Sequence, residues 1–341
     1  FVRDQDADGP GAKNAVLAPS RTLYLGTQGG WLHGVSTIRA RITGPGGLFQ
    51  CVEGAGRHVI TNPDNDYSGG TWVSSEKNEG MVVTPEGKLG TGPVQISPEA
   101  ELLLMGDANL HPNATLTIAQ SGCVALGSAN PHIGYLEGSG WLFLGITDDA
   151  HRSPPNTPKP VQQDKIDLVL KGGTFYGAIR ESAGEAVFVA QNEPEKGVGS
   201  LTILEELTLY GNHSFRGLTT VQGRLNLYGG LTGDVVLKVV AGKAAPVISG
   251  SGLIGGSLDC RQGVLAVKLD GAQHQPLTVN GTAIQGSQLD VEVTDGFQPV
   301  AGQKWLVLQA EGGITGKLPT VPKGYDLRLA DNNRSLELIR K

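Results

Sequence analysis

The chain has 341 residues, 51 of them glycine, with 39% hydrophobic residues, 27 Lys and Arg against 33 Asp and Glu, and a net charge of −6. Glycine at this level without a Gly-X-Y period excludes collagen, and the hydrophobic share is too high for a disordered low-complexity chain. The lack of a basic stripe excludes a nucleic-acid partner, and no run of about 18 apolar residues marks a membrane-spanning helix.

The first residues, Phe1-Val2-Arg3-Asp4, do not form a signal peptide, so the sequence is expected to begin inside a larger precursor. Residues 1–19 read as a linker or N-terminal extension. Within them Asp4-Gln5-Asp6-Ala7-Asp8-Gly9 spells the first half of an oxygen-rich calcium loop. Alternate carboxylates around a glycine bend converge on one hard cation, which makes Asp4, Asp6 and Asp8 candidate Ca²⁺ ligands. Position twelve of such a loop is Ala15 rather than an acid, and a solvated acidic terminus is the competing reading. No other cofactor is expected.

From residue 20 to 270 the pattern is short strand, glycine turn, short strand. Residues 100–104, 114–118, 235–240, 265–269 and 289–293 are strand-like, and most alternate apolar with polar side chains, as they do where one face points into a core. Helical periodicity is nearly absent; residues 199–209 come nearest and also read as an alternating strand. Glycine clusters such as Gly44, Gly46-Gly47 and Gly69-Gly70 suit corners with positive φ or a close approach of one coil to the next. The expected fold is all-β: a right-handed parallel β-helix, or β-solenoid, grown by repetition.

Several residues within this stretch carry possible chemistry. The Pro-rich segment 146–164 reads as a protruding loop, in which Asp148, Asp149, His151 and Arg152 either bind a sugar, serve acid–base chemistry, or are simply solvated. Asp64, Asn65 and Asp66 suit turn capping better than cation binding. The histidines show no metal-ligand spacing. Cys51, Cys123 and Cys260 read as small core residues, with a single disulfide as the other option. Trp31, Trp72 and Trp141 either plug the core or stack on sugar rings. Residues 271–341 read as C-terminal coils and a hairpin-like cap, because Asp270-Gly271, Asn280-Gly281 and Asp295-Gly296 favour tight turns.

An internal repeat relates Asp66-Tyr67-Ser68-Gly69-Gly70-Thr71-Trp72-Val73 to Ser214-Phe215-Arg216-Gly217-Leu218-Thr219-Thr220-Val221, at an offset of 148 residues. Tyr67, Gly69, Gly70 and Thr71 in one copy, and Phe215, Gly217 and Thr219 in the other, read as structural corners: an aromatic plug, a glycine bend, then a new strand. These residues, with Lys88-Leu89-Gly90-Thr91-Gly92 and Ile248-Ser249-Gly250-Ser251-Gly252, resemble the autotransporter-associated β-strand repeat, also called the passenger-associated transport repeat. In the second copy Leu218 replaces the second corner glycine.

The resemblance implies a bacterial protein that is secreted or displayed on the outer cell surface. It fixes an architecture rather than a chemistry. The expected function is a structural or adhesive passenger-type β-helix, with polysaccharide or cell-surface glycan as partner. A polysaccharide lyase or glycoside hydrolase on the same scaffold, and an accessory stalk of a larger surface protein, are the alternatives.

Overall fold

Outside the C-terminal cap, each strand pairs in parallel with its counterpart about one coil further along. The computed structural model describes residues 15–32, 36–52, 57–75, 80–145, 165–181, 198–271, 274–286 and 288–341, and these contain many short strands and no helix. Residues 199–209 are strand, as Val198–Ile203 and Glu206–Leu209. The chain divides into two compact units, Phe1–Gly199 and Ser200–Lys341.

In the first unit one ladder runs through Gly30–Leu32, Leu48–Val52, Thr71–Ser75, Val94–Ile96, Thr115–Ile118, His132–Gly138 and Lys165–Phe175. A second begins at Ala15–Leu17, paired with Ser36–Ile38, and continues to Ala178–Arg180. A shorter third joins Thr22–Tyr24 to Arg41–Thr43. Strict register stacks one core residue per coil. Ile38, Ile60, Val83, Leu104, Leu126 and Leu144 form a single buried column, and Leu48, Thr71, Val94, Leu116 and Leu136 form another.

The second ladder departs from simple alternation. Its outward column of Val59, Val82, Leu103, Ala125 and Phe143 is buried as well. The reason is visible in the runs Gly80–Val83 and Cys123–Leu126, which are apolar throughout, the mark of a strand buried on both faces. Beside that column Arg57 and Glu101 form a largely buried ion pair.

In the second unit each coil contributes to three parallel ladders. One comprises Glu206–Leu209, Arg224–Leu227, Val247–Ser249, Val264–Leu269 and Gln288–Val293. The second includes Thr219–Val221, Val235–Leu237, Leu258–Asp259, Ala283–Ile284 and Ile314–Thr315. The third runs from Asn212–His213 to Lys304–Ala310. Leu207, Leu225, Ile248, Leu265 and Leu289 stack inward along the first of them.

The C-terminal cap is a meander: Lys304–Ala310 pairs antiparallel with Ser335–Arg340, which pairs antiparallel with Tyr325–Ala330. Its turn is Asp331-Asn332-Asn333, all at positive φ, which Asp and Asn tolerate better than most residues. The three Asx-Gly pairs expected to make hairpins do not; Val264–Leu269 and Gln288–Val293, around the first two, remain parallel.

Corners stack as tightly as strands. A Cβ on Gly69 would lie 2.3 Å from Gly47 N and 2.4 Å from Gly46 C, and one on Gly92 would lie 2.5 Å from Gly70 N. The second unit repeats the device at Gly233, Gly256, Gly281 and Gly312, each of which would collide with backbone in the coil before it. Gly69→Ala is therefore expected to destabilise the full chain by about 1–3 kcal/mol. Gly26→Ala, where nothing lies within 4 Å of the added carbon, should stay within about 0.5 kcal/mol. Thermal unfolding of both variants checks the contrast.

Burial has an electrostatic consequence at His213, which faces the interior of the second unit and whose pKa is pulled down from 6.5 to about 4 by desolvation. Below pH 6.5 the unfolded chain takes up a proton that the folded chain refuses. Stability present at neutral pH should fall between pH 6.5 and 4, by about 3 kcal/mol in all. Urea unfolding across that range should show the loss, and His213→Leu should flatten it.

Candidate ligand-binding cleft

On Glu206–Leu209 and Arg224–Leu227 the outward positions are polar where the inward ones are leucine. Thr208, Asn226 and Ser249 follow one another in register on successive strands. They are joined side chain to side chain. Asn226 Nδ2 donates to Glu206 Oε1 at 2.9 Å and to Thr208 Oγ1 at 3.1 Å, and Ser249 Oγ donates to Asn226 Oδ1 at 2.6 Å. The network fixes the Asn226 amide and the Glu206 carboxylate in one orientation.

Glu206, Asn226 and Ser249 of this strip line a cleft of about 390 Å³. Ala266, only 4% exposed, is part of its lining. The lining also brings Asp270, His274 and Glu292 together with Arg224 and Lys268. Arg224 lies 3.7 Å from the Glu292 carboxylate, a loose pair with both side chains partly open to solvent. His274 is held below its ordinary pKa by desolvation, against the opposing pull of the Lys268 backbone and the Asp270 charge. It is therefore a neutral hydrogen-bonding group near pH 7.

Tyr228 completes the lining. Its ring stacks on Tyr210 with centroids 5.0 Å apart and planes 14° apart. The following coil places Gly250-Ser251-Gly252 after the strand that pairs with Arg224–Leu227. Nothing as large as a ring continues the tyrosine column there, and Tyr228 is 44% exposed.

A second aromatic stack lies on the first unit. Trp31, Phe49 and Trp72 follow one another on outward positions, with centroids 4.9 and 4.5 Å apart. The core-plug expectation for Trp31 and Trp72 is thus not met. Each alternates with buried neighbours, Leu32 for one and Thr71 and Val73 for the other, so the indoles face outward. Trp141 likewise lies on the outer side of its ladder, partly buried and edge-on to Phe143. The inward plugs are Tyr67, Phe175 and Phe215.

Of the residues singled out in the sequence, Asp4, Asp6 and Asp8, and Asp148, Asp149, His151 and Arg152, lie outside the described residues. Among the described residues no group of three or more His, Cys, Asp or Glu is placed to hold a metal. Asp64, Asn65 and Asp66 serve the coil itself. Asn62 Oδ1 accepts from Asp64 N at 2.8 Å, and Asn65 both accepts from Ile42 N and donates to Lys88 O at 2.7 Å. The Asp66 carboxyl is held below its usual range by the Thr43 hydroxyl and by its ion pair with Arg41. Cys123 and Cys260 are free and buried, with thiol pKa values raised by desolvation, so no disulfide forms between them.

Tyr67 is fully buried, and its hydroxyl shares a hydrogen bond of 2.6 Å with Thr71 Oγ1; desolvation pushes its pKa up to about 12. Gly70 sits at φ 96°, whereas Leu218 in the second copy is 44% exposed and has no positive φ, so that corner turns without the left-handed step. Phe215 fills the plug position with no hydroxyl, and the buried Thr219 Oγ1 is left without a hydrogen-bond partner.

The cleft residues went unnoticed in the sequence because they come from separate strands between Glu206 and Glu292. The one signal was polar residues at alternate positions, Glu206 with Thr208 and Arg224 with Asn226, and its meaning depends on which strands are adjacent.

Parallel ladders, one-residue-per-coil columns and stacked glycine corners define a parallel β-helix. The passenger-associated-transport-repeat family matches the chain at residues 53–75 and 206–223, spanning both aromatic corners. Two segments of the chain are thus similar to that repeat, within a parallel β-helix. Comparison with curated proteins and with solved structures gave no match. No helix among the described residues is long and apolar enough to cross a membrane.

The two corners make a reciprocal test. Tyr67→Phe should cost about 1–3 kcal/mol by leaving Thr71 Oγ1 buried and unpaired, and Phe215→Tyr should gain about 1 kcal/mol by giving Thr219 a partner. Denaturant midpoints of the two variants read out both signs.

Proposed function

We propose that the protein is a structural and adhesive β-helical passenger, secreted or held at the outer surface of a bacterium, whose outward faces bind glycans. The repeat match at both corners carries this reading. The physical character of the fold agrees with it. Backbone groups are consumed in coil-to-coil ladders, which suits a molecule that must keep its shape outside the cell, and its solvent-facing outward columns are free to vary without disturbing the core. The cleft between Glu206 and Glu292 is the binding surface this reading favours.

A polysaccharide lyase or glycoside hydrolase is the second reading, favoured by one observation: Glu206, Asp270 and Glu292 line a single cleft together with His274. Paired carboxyl groups flanking a sugar are what such chemistry needs. Incubating the full chain with pectin, xylan, alginate and cellulose distinguishes the two. The adhesive reading expects no new reducing ends and no unsaturated products over days. Their appearance, and their loss in Glu206→Gln or Glu292→Gln, would replace it with the enzymatic one. Fractionation of bacteria producing the protein should place it outside the cell or on the outer surface, and confinement to the cytoplasm would overturn both.

A further inference from the structure

We infer that the cleft of the second unit binds a neutral oligosaccharide, one pyranose ring of which stacks on Tyr228 in the slot where the tyrosine column stops at Ser251. This deepens the adhesive reading above and rests on it for the exposure of that face.

Four observations converge on that ligand. First, the column itself defines a slot. Tyr210 covers one face of Tyr228 at 5.0 Å, and the coil that would carry the next ring carries Gly250-Ser251-Gly252 instead. Successive coils are about 4.8 Å apart, so the missing ring leaves a gap one ring thick. A pyranose presents a flat C–H face of that thickness. Second, most of the side chains lining the cleft are hydrogen-bonding, set beside the apolar Leu265, Ala266, Val267 and Val307. Glu206 is held by the Asn226 network, Arg224 pairs with it in register, and Lys268 and His274 also line the cleft. A sugar in the slot meets donors and acceptors around its rim and an aromatic ring under its face, the combination its hydroxyls and C–H groups require.

Third, charge selects against ionic ligands. Three carboxylates, Glu206, Asp270 and Glu292, face the cleft against two cations, Arg224 and Lys268. A uronate or phosphate would meet an excess of negative charge, and a simple cation would meet the guanidinium and the ammonium. Fourth, the cleft's volume of about 390 Å³ falls in the range of small-molecule sites and suits a short oligosaccharide rather than a folded partner.

The test uses the full chain with cellotetraose, mannotetraose and β-1,4-galactotetraose as neutral probes and tetragalacturonate as the acidic one, read by calorimetry and by saturation transfer to the sugar C–H protons. At least one neutral probe is expected to bind. Tyr228→Ala should weaken it at least tenfold, Tyr228→Phe should leave it within twofold, and Tyr176→Ala, an exposed tyrosine of the first unit, should leave it unchanged. Ser251→Tyr extends the column into the slot; it should abolish binding while keeping the circular dichroism and melting temperature of the parent. It therefore answers the question even if Tyr228→Ala folds poorly. The inference falls if no neutral probe binds, if Ser251→Tyr or a folded Tyr228→Ala binds as the parent does, or if tetragalacturonate binds more tightly than every neutral probe. A chain that fails in any of these ways while still found outside the cell and inactive on polysaccharides leaves the adhesive reading standing and removes only this site.

Discussion

Coil-to-coil hydrogen bonding in constant register decides what every side chain in this molecule can do. Once Leu48 pairs with Thr71 and Thr71 with Val94, each 23 residues on, every position in the coil is committed to the inside or the outside for as long as the ladder runs. A one-residue slip would turn a whole strand over. The glycine columns enforce that register from the corners. Gly46, Gly69 and Gly92 approach so closely that no side chain fits between them, and only coils that return to the same height bring glycine onto glycine.

The same constraint explains how the interior treats polar groups. Positions that must bend are capped by asparagine, as at Asn65 and at Asn109, whose amide donates to both Thr84 O and Gly87 O in the coil before it. Where the plug is tyrosine, the hydroxyl has its partner built into the same corner, four residues on. Where it is phenylalanine, the partner position is still threonine and its hydroxyl is left over. The two copies of the repeat thus share a shape and differ in how fully its polar groups are satisfied. Burial also keeps His213 neutral and the free thiols unreactive, so neither supplies chemistry to the surface.

The outward columns that face solvent are not constrained by the core. On the first unit they carry the stack of Trp31, Phe49 and Trp72; on the second they carry the bonded strip of Glu206, Thr208, Asn226 and Ser249 and the tyrosine pair beside it. A ladder holds such groups at fixed spacing without a dedicated loop. Binding geometry can thereby arise from residues that sit 20 or so positions apart in the chain, as Asn226 and Ser249 do.

Composition and local pattern were enough to establish the class of fold. Abundant glycine, short branched-apolar runs and the two aromatic corners already require a stack of coils, because each is a local property of the chain. Tyr67, Gly69, Gly70 and Thr71 could be singled out for the same reason, since they lie within five consecutive residues, but the hydrogen bond from Tyr67 to Thr71 could not. What the sequence did not reveal is everything that depends on which strands lie side by side. It did not show that the second ladder buries both its faces, that Trp31 and Trp72 point outward, or that the cap turns at Asp331-Asn332-Asn333 rather than at an Asx-Gly pair. Nor did it show the cleft, whose acidic, basic and aromatic residues are spread from Glu206 to Glu292 and become neighbours only through ladder register. Coil lengths in the second unit vary, since Thr219 pairs with Val235 but Arg224 pairs with Val247. No fixed period in the sequence could align those residues, and only the paired backbone decides which of them meet.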